Sequence, residues 1–207
     1  MIDHLLVEVI DALHRSFDLA LLQRQAVEER FQVDVFLGDL SFETSYSLPG
    51  EDQPPRVRAD LSFDWPTWSQ TAYRSWSIGE TPSELPELIV EVALRIQRLA
   101  EPPILESVLS VLPPESPHLG PDALLRTSAT VEQSYEEVVA GSDIALPVRW
   151  AVEATYEGSI RFEEHHLEDT ESVGPVIEAL TRWIASALVQ LADLPLVFLP
   201  PDPQEAI

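Results

Sequence analysis

The sequence predicts an α+β fold in which an N-terminal amphipathic helix precedes a tandem duplication of a strand-rich βββα-type unit, the two copies sharing one core. Three observations carry this expectation. Apolar residues recur at spacings of three and four in some stretches, they alternate singly in others, and short segments of the first half return in order in the second.

The first helix rests on Ile2, Leu5, Leu6, Val9, Ile10, Leu13, Phe17, Ala20 and Leu21, which form a single stripe from Ile2 to about Gln25. The period then changes. Phe31, Val33, Val35 and Leu37 alternate with mostly polar neighbours, and Leu40, Phe42, Thr44, Tyr46 and Leu48 alternate in the opposite phase. Gly38-Asp39 sits at the phase flip, where either a Gly-first hairpin turn or a bulge within one long strand satisfies the pattern. Turn residues from Pro49 to Pro55 lead into Val57, Ala59, Leu61, Phe63 and Trp65, a strict alternation that Pro66 ends. Thr81-Pro82-Ser83-Glu84 has the form of a capping box with Pro at the first helical position. Leu85, Leu88, Ile89, Val92, Ile96 and Leu99 then predict a helix from Pro82 to Ala100, stopped by Pro102-Pro103.

A Pro-rich connection containing His118 and Gly120 separates the halves. Beyond it Leu125, Thr127, Ala129 and Val131 alternate, as do Val148, Trp150, Val152, Ala154 and Tyr156. Glu157-Gly158 is expected to turn the chain into Ile160 and Phe162, and a second helix is expected from Pro175 to Ala192 through Ile177, Leu180, Ile184, Leu188 and Leu191. The repeat is carried by Glu43-Thr44-Ser45-Tyr46 with Glu132-Gln133-Ser134-Tyr135, Val57-Arg58 with Val148-Arg149, and Leu99-Ala100-Glu101 with Leu191-Ala192-Asp193, at offsets of 89, 91 and 92 residues. The expected organisation is therefore an N-terminal helix at 1–30, a first copy at 31–112, the connection at 113–124, a second copy at 125–199 and a frayed tail at 200–207.

Composition narrows the function. The chain carries 36 acidic and 12 basic residues for a formal charge of -24, every basic residue is arginine, and Lys, Asn and Cys are absent. A GC-rich genome accounts for the missing Lys and Asn without any functional cause, and a salt-adapted proteome is the next explanation. Such an acidic excess argues against binding nucleic acid or anionic membranes, whose phosphates require clustered Lys and Arg. Without Cys there is no disulfide and no thiolate chemistry. Acidic residues interrupt the apolar positions of the first twenty residues, and no eighteen-residue apolar run follows, so the expected location is the cytoplasm.

No residue pattern amounts to a catalytic signature. Seven glycines and no Lys leave no phosphate-binding loop, and no Gly-x-Ser-x-Gly elbow occurs. Glu163-Glu164-His165-His166 carries ligand types suited to a divalent ion, yet adjacent histidines on a strand point to opposite faces, so at most Glu164 with His166 forms a weak metal site. The bland reading of that segment is a solvated strand end or loop. Trp65, Trp68, Tyr73 and Trp76 form an aromatic cluster. Trp65 continues a buried strand face, whereas Trp68, Tyr73 and Trp76 are the binding candidates, with Trp68 best placed for exposure. Arg58 and Arg149 are expected to pair with acids on the sheet surface.

Phe31-Gln32 and Asp39-Leu40-Ser41-Phe42-Glu43, continued by Val57-Arg58-Ala59-Asp60-Leu61, resemble the opening strands of SecB-type export chaperones over about thirty residues. Those acidic α+β proteins form oligomers that hold unfolded chains, and the resemblance implies a client-binding role. The family sets four strands together before its helices, while here the helix expected at Pro82 interrupts them. Together these readings lead to a non-enzymatic acidic adaptor or chaperone-like protein for a basic or partly unfolded protein partner, needing no cofactor, with assembly of identical copies left open. Two alternatives stand beside it: a metal-assisted enzyme using acidic residues with His165 or His166, and a mimic of nucleic-acid charge.

Overall fold

The computed structural model describes residues 4–24, 29–34, 37–119, 121–134 and 148–200. Val35, Gly120, Tyr135 of the repeated segment and the tail beyond Pro200 lie outside them. The elements are α1 (His4–Leu19), β1 (Gln23–Arg24), β2 (Arg30–Val33), β3 (Leu40–Ser47), β4 (Val57–Trp65), α2 (Thr67–Ser77), β5 (Glu87–Leu99), α3 (Leu105–Leu109), β6 (Glu115–His118), β7 (Ala123–Ser134), β8 (Arg149–Arg161), α4 (Glu164–Glu168) and α5 (Gly174–Ala192). This is an α+β protein built on an eight-stranded antiparallel sheet. The strand order is β1-β3-β4-β5-β8-β7-β6, and β2 also lies along β3.

Strict alternation makes the sheet two-faced. On β4, Val57, Ala59, Leu61, Phe63 and Trp65 are buried, and the register places them beside Tyr46, Thr44, Phe42 and Leu40 of β3 and Val90, Val92, Leu94 and Ile96 of β5. That face is covered by α5, which packs on β4 and β5 and carries α1 against its own side. The α1 stripe of Leu5, Leu6, Val9, Leu13 and Phe17 joins Ile177, Leu180, Ile184, Leu188 and Leu191 of α5 in one core. Phe17 stacks on Tyr46 at 3.8 Å between ring centroids, and Trp183 meets Tyr156 edge-on at 5.0 Å. Each such aromatic, fully buried, contributes on the order of 2–3 kcal/mol.

Four expectations need correction. Residues 82–100 form no helix: Pro86, the fifth position of the expected helix, has no N–H to give the Pro82 carbonyl, and Leu88, Val90, Val92, Leu94 and Ile96 bury one side of strand β5 at period two. The expected equivalence between a helix there and α5 therefore fails, and no tandem duplication is shown. Second, Glu157-Gly158 makes no turn, because β8 runs unbroken to Arg161. Gly158 is there for space: a Cβ would lie 2.9 Å from Leu124 Cδ2 and 3.3 Å from the Ala123 carbonyl oxygen. Third, residues 67–77 form a helix, α2, so the departure from the SecB-type strand order falls there rather than at Pro82. Fourth, His165 and His166 sit on a helix, α4, and not on a strand end or loop. Where the sequence left two options, the structure has a hairpin rather than a bulge, but with a longer connection than a two-residue turn at Gly38-Asp39: β2 and β3 pair from Val33↔Leu40 outward, and Gly38 takes a φ of 77° that favours glycine.

The C-terminal segment is tied back onto the sheet. Arg98, buried and at a φ of 61°, donates from Nη2 to the Leu199 carbonyl at 2.7 Å and from Nη1 to that of Pro54 at 2.9 Å. Phe198 bridges Leu99 beside it.

Candidate functional site

The sheet's other face carries the polar half of each alternating strand. Helix α5 packs on β4 and β5 from the opposite, apolar side, where its buried stripe joins theirs in one core. Register, which sequence alone does not give, assembles the polar face into transverse rows about 4.8 Å apart from strand to strand. One row runs Arg30, Glu43, Ser62, Glu91, Glu157 and Leu125 across β2, β3, β4, β5, β8 and β7. A concavity of about 430 Å³ opens over its β3–β5 part, with Ser45, Arg58, Asp60 and Ala93 in its floor and walls.

Arginines neutralise part of this face. Arg58 Nε lies 2.9 Å from Asp60, which also accepts a hydrogen bond from Ser45 Oγ at 2.5 Å, so the expected pairing of Arg58 with a neighbouring acid is present. Arg95 joins Glu132 at 2.6 Å and Glu153 at 2.9 Å, and Arg161 joins Glu87 at 2.8 Å. Glu43, Asp64, Glu91 and Glu157 form no ion pair among the described residues. Partial burial pushes the Asp64 carboxyl above its usual range, helped by Glu43 and Asp39. The Glu91 carboxyl is raised the same way, first by loss of water and then by Glu157, Asp64 and Glu153. Glu91 and Glu157 stand directly opposite each other on adjacent strands, an arrangement that costs stability.

The aromatic candidates sit at the end of the sheet, on α2. Asp39, from the hairpin, accepts from the Thr67 backbone N–H at 2.6 Å and so anchors the helix start. Trp68 is 43% exposed. Tyr73 and Trp76 are half-buried, pack against the core, and lie nearly parallel at 6.3 Å between centroids. Trp76 also lines a groove of about 400 Å³ with Glu80, Pro82, Leu85, Glu164 and Leu167. The structure thus brings Trp76 and Glu164 together and leaves Trp68 outside their groove.

His166, on α4 with Glu164 and Leu167, is buried beside Phe162. Its Nδ1 accepts the Glu163 backbone N–H at 3.1 Å, closing a capping box at the start of α4, and burial together with the neighbouring His165 lowers its pKa. That bond occupies the nitrogen nearest Glu163, while His165 remains outside in solvent beside Glu163. Among the described residues no three His, Asp or Glu side chains are grouped to hold a metal ion, and no helix is long and apolar enough to cross a membrane. No family model, curated protein or solved structure matches this chain.

Proposed function

We propose that the protein is a non-enzymatic binding protein that takes a basic or partly unfolded polypeptide onto the polar face of its sheet, acting in the cytoplasm. The supporting observation is the row in which Glu43, Glu91 and Glu157 share the polar face, with Asp64 beside it: none of the four is in an ion pair among the described residues, and the one cation in the row, Arg30, stands at its end opposite Glu43. A fold normally avoids facing like charges across a strand pair, and a cationic guest relieves the repulsion that the empty face retains. The concave shape suits an extended chain lying across the strands, and the overall charge of -24 steers a basic partner toward it. Trp68 supplies an apolar contact at the sheet's end.

The test is binding of a fluorescent, unstructured peptide rich in Lys and Arg, measured by anisotropy at low and high salt. Binding that weakens with salt, falls at least tenfold in the Glu91→Gln/Glu157→Gln double variant, and falls again with Trp68→Ala supports the assignment. Equal affinity for the native protein and the double variant removes the sheet face from the function, and turnover of a small molecule without any peptide affinity removes the adaptor reading altogether.

A further inference from the structure

The two edges of the sheet are finished differently. Along β3, the outer side is occupied by β1 at Tyr46 and Ser47 and by β2 from Leu40 to Glu43. Along β7, β6 reaches only Ala123 and Leu125, and Pro114 accepts the Arg126 N–H at 2.9 Å. From Thr127 to Ser134 no described residue pairs with the outer side of β7. Those residues are mostly solvent-exposed, Val131 at 40% among them.

An eight-residue strand edge that no described residue covers is a template for another strand, and natural edges are usually blunted by charge, proline or a pronounced bulge. This one, Thr-Ser-Ala-Thr-Val-Glu-Gln-Ser, has no proline and a single charge, Glu132, which Arg95 already neutralises at 2.6 Å. Its one irregularity lies at the start, between Arg126 and Ser128. In a chain with 36 acidic residues, so neutral an edge permits the close approach of a like-charged molecule. A basic strand laid here finds no unpaired carboxylate, whereas an identical strand finds its own complement.

We propose that two copies of the chain join antiparallel through β7, extending one sheet across a two-fold axis. Directly opposed residues of an antiparallel pair share a face, so the axis must pass through a residue position. Centred on Thr130, it sets Thr130 against its counterpart, Ala129 against Val131 and Ser128 against Glu132, which covers Val131 and opposes no like charges. Centring on Val131 instead pairs Val131 with its counterpart but sets apolar Ala129 against Gln133. Centring on Ala129 places the irregular Thr127 inside the pairing, whereas centring on Thr130 leaves it at the end, opposite Gln133. Thr130 is the position that satisfies every pair.

The salt response of this association is opposite to that of a basic partner. Each copy carries -24, so long-range repulsion opposes pairing, and salt relieves it by shortening the Debye length from about 10 Å at 0.1 M to about 3 Å at 1 M. Sedimentation equilibrium on the full chain at about 0.05 M and about 1 M salt is expected to show a dimer that tightens at least tenfold at the higher salt. Thr130→Asp and Thr130→Lys are each expected to sediment as monomers where the native chain dimerises, because each sets like charges on the axis, and an equimolar mixture of the two is expected to restore the dimer. Recovery on mixing also shows that both variants are folded. A native chain that stays monomeric up to about 100 µM in high salt overturns the proposal, as does a dimer indifferent to both single variants or a mixture that stays monomeric.

Discussion

Glu91→Gln should make this protein more stable while making it a poorer binder of basic peptides. Glu91 and Glu157 are opposed across β5 and β8, so their Cβ atoms are about 5 Å apart and their carboxylates are on the order of 6 Å apart. In water two unit charges at that distance repel by about 0.7 kcal/mol, and ionic screening at 0.1 M reduces this to roughly 0.4 kcal/mol. Both side chains are exposed to solvent, so the screened value of about 0.4 kcal/mol is the expected gain. For a chain of this size that is a rise of about 1–2 °C in melting temperature. Thermal unfolding followed by circular dichroism at low and high salt is the assay, with exposed Glu84→Gln as the control for generic charge reduction. The gain should shrink at 1 M salt. It should shrink again in mild acid, because a carboxyl whose folded pKa is raised carries its penalty above that pKa and loses it as the native side chain takes up a proton. Destabilisation, a gain no larger than that of Glu84→Gln, or a gain indifferent to salt would refute the reasoning.

Three further outcomes are expected. Arg98→Ala should cost about 2–4 kcal/mol by removing charged hydrogen bonds to the Leu199 and Pro54 carbonyls, and amide hydrogen exchange should show faster exchange at Ala100 and Leu199, whose N–H groups tie the C-terminal segment to β5, before the rest of the sheet responds. Gly158→Ala should destabilise by about 1–3 kcal/mol, read in a denaturant titration, since its methyl meets buried Leu124 at 2.9 Å. Because the folded pKa of His166 is lowered, the unfolded chain takes the proton first as pH drops below about 6.5, so the cap of α4 weakens toward pH 5. His166→Gln keeps an acceptor at that capping position without titrating and should flatten this pH dependence in exchange rates at Leu167 and Glu168.

Periodicity located α1, β4 and α5 because each has one buried side and a clean period. It failed at Glu87–Leu99, where Leu88, Val92, Ile96 and Leu99 fit a helix while Leu88, Val90, Val92, Leu94 and Ile96 fit a strand. The β-branched Ile89, Val90, Val92 and Ile96, with Pro86 just past the supposed first turn where a helix needs its N–H, were the signals that decide for a strand. Helix α2 was also written in the sequence, since Trp68, Ala72, Tyr73 and Trp76 fall at helical spacing after Pro66, but they read first as an aromatic cluster. The polar face was legible strand by strand in Arg58, Asp60, Ser62 and Asp64. What no single strand contains is its register with the next, and the helical reading of β5 hid Glu91 from the face it occupies. Trp76 and Glu164, nearly ninety residues apart, gave no sign of sharing a groove.

The partnership of α1 with α5 has a consequence for the order of assembly. Helix α1 leaves the ribosome well before α5, the element against which it packs most, which begins only at Gly174. The central strand pair, β5 with β8, likewise joins segments some sixty residues apart. Until α5 emerges, the apolar sides of β4 and β5 lack the helix that covers them, and non-local pairings of this kind close slowly. The nascent protein therefore passes through a long interval as an unfolded chain with exposed strands, kept apart from its neighbours chiefly by the negative charge that its mature surface retains.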